Sequence, residues 1–170
     1  MNIFYLDRDP VIAAQMMCDK HVVKMILESA QMLSTAHRVL DGDEYAEKRG
    51  LYKLTHKNHP SSIWARSSEL NYRWLWEHYV ALMDEYTYRY GKIHGSTKPS
   101  LLLMRPPKNI PKIKETPLPQ CMPEICKVKD NPILAYRNYY IVEKNSFASW
   151  KNRSTPEWYK EKDIMNTWVG

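Results

Sequence analysis

Phenylalanine is nearly missing from this chain: two occur in 170 residues, against twelve tyrosines and six tryptophans. Aromatic surface is therefore supplied by rings that can stack and still hydrogen-bond. Cysteine is almost as sparse. Cys18, Cys121 and Cys126 form no even framework and no C-x-x-C pair. That excludes a disulfide scaffold and a zinc ribbon, and reduced thiols in a cytosolic (cytoplasmic) compartment are the simplest reading. The histidines at 21, 37, 56, 59, 78 and 94 show no H-x-x-x-H or H-E-x-x-H spacing, so neither a metal nor another cofactor is expected. No G-x-S-x-G nucleophile motif occurs. No window approaches roughly 18 apolar residues, so no membrane span is expected. The opening MNIFYLDRDP brings acids early and has no apolar signal-peptide run. Repeats and low-complexity tracts are absent. No stretch alternates apolar and polar residues, which leaves nothing to argue for a sheet.

What is present is basic. Twenty-five Lys and Arg against nineteen Asp and Glu give a formal charge of +6. Such a balance favours a polyanionic partner, nucleic acid before an anionic membrane. The length suits one domain with one sizeable core, and a monomer is the expected state.

Helical punctuation organises the chain as all-α, with three main helices and a long irregular arm. Residues 2–6 read as a short extended lead-in. Asp9-Pro10 starts a helix with a cap residue and Pro at the first position. The pattern runs to about Leu40, with Asp19 placed to cap a fresh helix. DGDEYAEKRG (41–50) reads as a polar loop. A second long helix is expected from Ser61 to Tyr90, with Trp64, Leu70, Trp74, Leu75, Leu82 and Tyr86 in the core and Gly91 as its stop. Residues 100–104 read as a short helix. Seven of the eleven prolines then fall between Pro106 and Pro132. This arm, 105–132, is expected to wrap the body through Ile110, Ile113, Leu118, Met122 and Ile125 rather than to be disordered. A last helix is expected from Pro132 to about Trp150, followed by an aromatic, basic tail. One domain thus divides into a helical core (1–91), the arm, and a C-terminal segment (133–170).

The sharpest pattern lies in residues 19–35. At about 100° per residue, Val22, Ile26, Ser29, Leu33 and Ala36 share one side. Lys20, His21, Lys24, Glu28, Gln31 and Thr35 share the other. One carboxylate among ammonium groups, an imidazole and an amide is either a solvated face held by i,i+4 pairs such as Lys24–Glu28, or a site. His56, Lys57, Asn58 and His59 precede a helix start, where they could cap the helix or contact phosphate. Between residues 136 and 160, Tyr136, Tyr139, Tyr140, Trp150, Trp158 and Tyr159 interleave with Arg137, Lys144, Lys151, Arg153 and Lys160. That composition fits a base-stacking platform beside a phosphate track, or aromatic packing under a lysine-rich surface.

The segment Lys20-His21-x-x-Lys24-x-x-x-Glu28-Ser29-x-Gln31-Met32-Leu33 resembles the K-R-x-x-K-x-x-x-E-A-x-Q-I-L pattern of a bacterial and phage family, the pyrimidine-dimer DNA glycosylases of the endonuclease V type. Three further stretches are similar: the opening MNIF, Asn58-His59-Pro60-x-x-x-Trp64, and Trp158-Tyr159-Lys160. Asp19-Lys20-His21-Val22 looks like the D-Q-H-L of the phage members, which sets Glu28 on the catalytic glutamate. The resemblance implies an endonuclease V-like all-α domain that excises a base and cleaves the strand at the abasic site. It implies the N-terminal α-amine as nucleophile, which places Met1 and Asn2 in the site. α-Amines as a class titrate near ~8 and lysines near ~10.4, so the former are better nucleophiles at neutral pH. Glu28 would hold the sugar and shuttle protons, with His21 and Lys24 beside it. DNA, duplex or locally unpaired, would contact Lys20, Gln31, Asn58, His59, Trp64, Arg66, Arg153, Trp158, Tyr159 and Lys160. Where the family places basic residues on the catalytic helix, this chain has Leu27 and Gln31.

Two functions of different class follow. One is a DNA N-glycosylase, with or without abasic lyase activity, on damaged or modified pyrimidines. The other is a DNA- or nucleotide-binding protein on the same scaffold, serving phage DNA modification or anti-defence as a transferase or a non-catalytic binder. Borohydride trapping on abasic DNA separates them.

Overall fold

The computed structural model describes residues 1–162, so residues 163–170 of the expected C-terminal segment lie outside the described residues. Among the described residues the chain is all helical, with seven bounded α-helices, a further helical stretch over residues 157–162, two short 3-10 turns and no strand. The helices are α1 (Pro10–Met16), α2 (Asp19–Asp41), α3 (Asp43–Lys48), α4 (Pro60–Ser67), α5 (Glu69–Tyr90), α6 (Ser100–Leu103) and α7 (Pro132–Glu143).

Helix α2 is the axis of the molecule and packs against α5, α4, α3 and α6, while α1 lies on α5. Val22, Ile26, Leu33 and Ala36 are fully buried, as their spacing requires. The opposite side is not a simple solvated face, because His21, Thr35, His37 and Arg38 are buried as well. A helix surrounded on most sides must bury its polar stripe and satisfy it internally. Arg38, for example, donates to the carbonyls of Tyr52 and Leu51 and pairs with Asp43 and Glu47.

Several boundaries differ from the sequence expectation. The 41–50 loop contains α3, with Asp43 and Glu44 in its first turn and Lys48 in its last, the charge order that suits a helix dipole. The long helix from Ser61 is two helices. Ser68 leaves the helical region and its Oγ accepts from the N–H groups of Leu70 and Asn71. That restart sets the phase of α5 and turns Leu70 out to solvent, whereas Trp64, Trp74, Leu75 and Leu82 are in the core and Tyr86 is half-buried beside it. Gly91 closes α5 in the left-handed region at φ +68°, which a side chain would disfavour. Asp19 is the first residue of α2 and not its cap. Its carboxylate accepts from the backbone N–H of Lys151 and from Ser149 Oγ, so it ties the C-terminal segment to α2. α7 ends at Glu143 and not at Trp150.

The proline-rich arm is strapped to the body by specific bonds. The N–H groups of Lys108 and Asn109 donate to Asp41, Ser68 Oγ donates to the Ile113 carbonyl, and Trp64 Nε1 donates to the Thr116 carbonyl. Thr116 and Asn71 exchange two further bonds. Ile110 and Leu118 are buried and Met122 packs against the core, but Ile113 and Ile125 face solvent. With no helical period, the arm's contacts are set by where it is tied.

Two core histidines carry a pH consequence. His78 donates from Nδ1 to the Pro10 carbonyl and stacks on Trp74, and burial pulls its pKa down to about 4. His21 is pulled down to about 3 by burial and then by Lys144, Lys24 and Lys20. Both groups bind a proton in the unfolded chain near pH ~6.5 but not in the folded one. Their contribution is present above that pH and is lost as pH falls toward the folded values. Melting temperature is expected to drop steadily from pH 6.5 toward pH 4. A flat profile over that interval would contradict the neutral assignment.

Candidate active site at the N-terminus

The first residues are buried like a core element: Ile3, Phe4 and Leu6 are nearly inaccessible. They run against α2 and α7, with Phe4 stacked on His21 at 4.0 Å and edge-on to Tyr136. This placement brings the α-amine of Met1 to 3.2 Å from Glu28 Oε1. The i,i+4 pair of Lys24 with Glu28 does not form; the terminal ammonium takes the carboxylate instead. Glu28 Oε2 is buried with no hydrogen-bond partner among the described residues, an acceptor held ready inside the fold.

Asn2 fixes the amine from behind. Its Nδ2 donates to the Cys121 carbonyl at 3.0 Å. Its Oδ1 accepts from the N–H of Ile3 at 2.8 Å and from the Tyr136 hydroxyl at 2.7 Å. Tyr136 is itself fully buried, and its oxygen accepts from the N–H of Cys121. Met1 is anchored too, since Ser62 Oγ lies 3.4 Å from its sulfur and donates to it.

These groups line a cavity of about 300 Å³ formed by Met1, Asn2, Phe4, His21, Lys24, Met25, Glu28, His59, Cys121, Tyr139 and Lys144. Both histidines are neutral. The Tyr140 hydroxyl accepts from the N–H of Cys18, so it donates to His21 Nδ1 and the ring proton sits on Nε2. His59 Nδ1 accepts from the N–H of Ser61 and caps α4, which again leaves the proton on Nε2. Burial, then the neighbouring α-amine and His56, lower the His59 pKa. The cavity thus offers an amine, one carboxylate, two neutral imidazoles and two ammonium groups. Such a set can add an amine to an electrophilic carbon, move protons and neutralise an anion.

Of the residues singled out from the sequence, Met1, Asn2, His21, Lys24, Glu28 and His59 meet here. Lys20 sits at one side, with its Nζ 4.6 Å over the Phe147 ring. Gln31 is half-buried and Asn58 exposed, and neither lines the cavity. Trp64 is a core residue whose indole N–H is spent on the arm. Arg66 is half-buried with Nη1 unpartnered, also away from the cavity lining. Arg153 is not free for phosphate, because Glu85 holds its Nε and Nη2 at 3.1 and 2.6 Å. Lys160 is exposed and paired with Glu157.

Trp158 and Tyr159 of the tail pack back on the body, and neither they nor Lys160 line the cavity. Tyr159 is buried against Trp150, and Trp158 packs edge-on against Tyr140 with Arg137 over its face. Tyr140 stands between Trp158 and His21. Trp158→Ala is therefore expected to lower the melting temperature and to leave any preference for damaged over intact DNA unchanged. A selective loss of binding to damaged DNA would give the ring a direct role. Five lining residues, Phe4, Met25, Cys121, Tyr139 and Lys144, were not assigned to this site from the sequence. Tyr139 and Lys144 were read only as part of the aromatic and basic stretch, and that they and Cys121 meet the N-terminus is set by tertiary packing of the arm and of the 132–144 segment.

A family model described as pyrimidine dimer DNA glycosylase matches residues 1–98, more than half of the chain and all of the segment that carries Met1, Glu28 and His59. No curated protein and no solved structure matches the chain. The matched segment supplies the helix, the carboxylate and the buried N-terminus of the cavity, and the chain belongs to the pyrimidine dimer DNA glycosylase family.

Proposed function

We propose that this protein binds DNA and excises damaged or modified pyrimidines, with the Met1 α-amine as nucleophile and Glu28 as the acid–base group. The observation that carries the reading is the 3.2 Å approach of amine and carboxylate inside a polar cavity. With its proton passed to solvent, the amine attacks C1′ of the target nucleotide. The C1′–N bond breaks, its electron pair leaves with the base, and the base takes up a proton. Ring opening moves the C1′–O4′ pair onto O4′ and leaves an iminium at C1′. Removal of a C2′ proton by Glu28 expels the 3′-phosphate by β-elimination, and water hydrolyses the imine to free the amine. The carboxylate also stabilises the cationic sugar electrostatically.

Retention of Met1 is part of this reading. Asn2 is a bulky second residue, and its side chain is committed to Cys121 and Tyr136. On this reading the amine that meets Glu28 is that of Met1.

The test is borohydride reduction in the presence of DNA carrying an abasic site or a pyrimidine dimer. Reduction of the imine should leave a protein–DNA adduct that maps to Met1. An N-terminus shown by mass spectrometry to be unblocked, yet inert on both substrates, would remove the nucleophile from the proposal. If such a protein still bound DNA, the second reading would take its place: a DNA or nucleotide binder on the same scaffold.

A further inference from the structure

Three lysines converge on one side of the cavity with no carboxylate to balance them. Lys20 and Lys24 come from the first turns of α2, and Lys144 comes from the residue that ends α7. Among the described residues none of the three is in an ion pair. The one carboxylate lining the cavity, Glu28, is engaged by the α-amine. Aromatic rings hold two of the ammonium groups in place. Lys144 Nζ lies 4.5 Å from the Tyr139 centroid and 5.9 Å from that of Phe147, and Lys20 Nζ lies over the same Phe147 ring at 4.6 Å. The Phe147 ring packs edge-on against His21, which joins the cluster to the cavity wall.

We propose that Lys24 and Lys144, with Lys20 beside them, form a seat for a phosphate ester next to the nucleotide whose sugar meets the Met1 amine. Like charges gathered at one place repel, and an anionic ligand relieves that repulsion. Ring contacts restrain Lys20 and Lys144 without neutralising them, so their charge stays available. Lys24 and Glu28 are one helical turn apart, ~6 Å along α2. That is the order of the separation between a nucleotide's phosphate and its own C1′, so one nucleotide can touch both. The two neutral imidazoles add N–H donors without adding charge. Lys144 thus brings its charge from just beyond α7, outside the matched residues 1–98.

This inference rests on the reading that DNA enters the cavity, but its test is separate from the chemistry. Binding of a labelled duplex carrying a stable abasic analogue would be measured by anisotropy between about 50 and 200 mM salt. The wild type should lose affinity linearly on log–log axes. Lys144→Gln and Lys24→Gln should each lower the slope by ~0.9, the value of one phosphate contact. Lys98→Gln, an exposed lysine remote from the cavity lining, serves as the folded control and should change little. Circular dichroism melts establish that each variant folds. Deoxythymidine monophosphate at millimolar concentration separates the sources. A seat for the strand predicts weak competition, whereas a seat for free nucleotides predicts tight binding that Lys144→Gln abolishes. Slopes for Lys24→Gln and Lys144→Gln equal to that of Lys98→Gln, with no nucleotide binding, would overturn the proposal. If the slopes fall but no borohydride adduct forms, the seat stands and the amine chemistry fails.

Discussion

Glu28→Gln is expected to lower base excision by about 10²–10⁴-fold, the usual weight of a positioned acid–base group. Glutamine preserves the volume and an oxygen that can still accept from the Met1 ammonium, 3.2 Å away in the native protein. It cannot take a proton from C2′ or stabilise a cationic sugar with a full charge. Folding should change by less than ~1.5 kcal/mol, the scale of one hydrogen bond. The decisive comparison is single-turnover excision against the urea midpoint for the same preparation. A variant that folds normally and keeps more than about a tenth of its activity would remove Glu28 from the centre of the site.

The second large effect is on stability. Arg89 is fully buried and donates to Glu85, to Asp19 and to the Gln15 carbonyl. Its removal strands carboxylates in a low-dielectric interior, where breaking a buried ion pair costs about 3–5 kcal/mol. Arg89→Met should therefore lower the melting temperature by roughly 6–20 °C for a chain of this size. Arg153→Ala removes the outer, partly exposed partner of Glu85 and should cost much less, because Arg89 remains. Equal losses for the two variants would show that burial of Arg89 carries no special weight. The network joins α1, α2, α5 and the C-terminal segment at one point, so its loss is expected to reduce cooperativity of unfolding as well as the midpoint.

What could be read in the chain beforehand followed from local rules. The buried side of α2 obeyed the 3.6-residue period, Asp9-Pro10 began a helix as a cap and first-position proline do, and Gly91 ended one. The Ser68 restart also had a signal, a serine followed directly by glutamate, which a continuous apolar pattern obscured. Other features had none. That the polar side of α2 is half-buried depends on other segments lying over it: residues 51–55 on Thr35 and Arg38, α5 on His37 and α7 on His21. Arg153 looked like a free cation because its partner Glu85 is 68 residues away and reaches it from another helix. Cys121 and Lys144 enter the cavity from segments more than ninety residues from Glu28, a distance over which periodicity says nothing.

The hydrogen bonds that join Asn2 with Cys121 and Tyr136 span 119 and 134 residues. Residue 2 is among the first to leave the ribosome, and its anchors are made near the end of synthesis. A nascent chain carrying only the segment of family character holds the helix, the glutamate and Ser62 but lacks Cys121 and Tyr136, the partners of Asn2. At synthesis rates of roughly 5–20 residues per second, the N-terminus waits several seconds for its partners. During that interval it is open to acetylation, formyl retention or proteolytic trimming, each of which would alter the group that Glu28 later meets. Loops this long close at an entropic cost that local helices do not bear, so the amine pocket is expected to be the last part of the molecule to order.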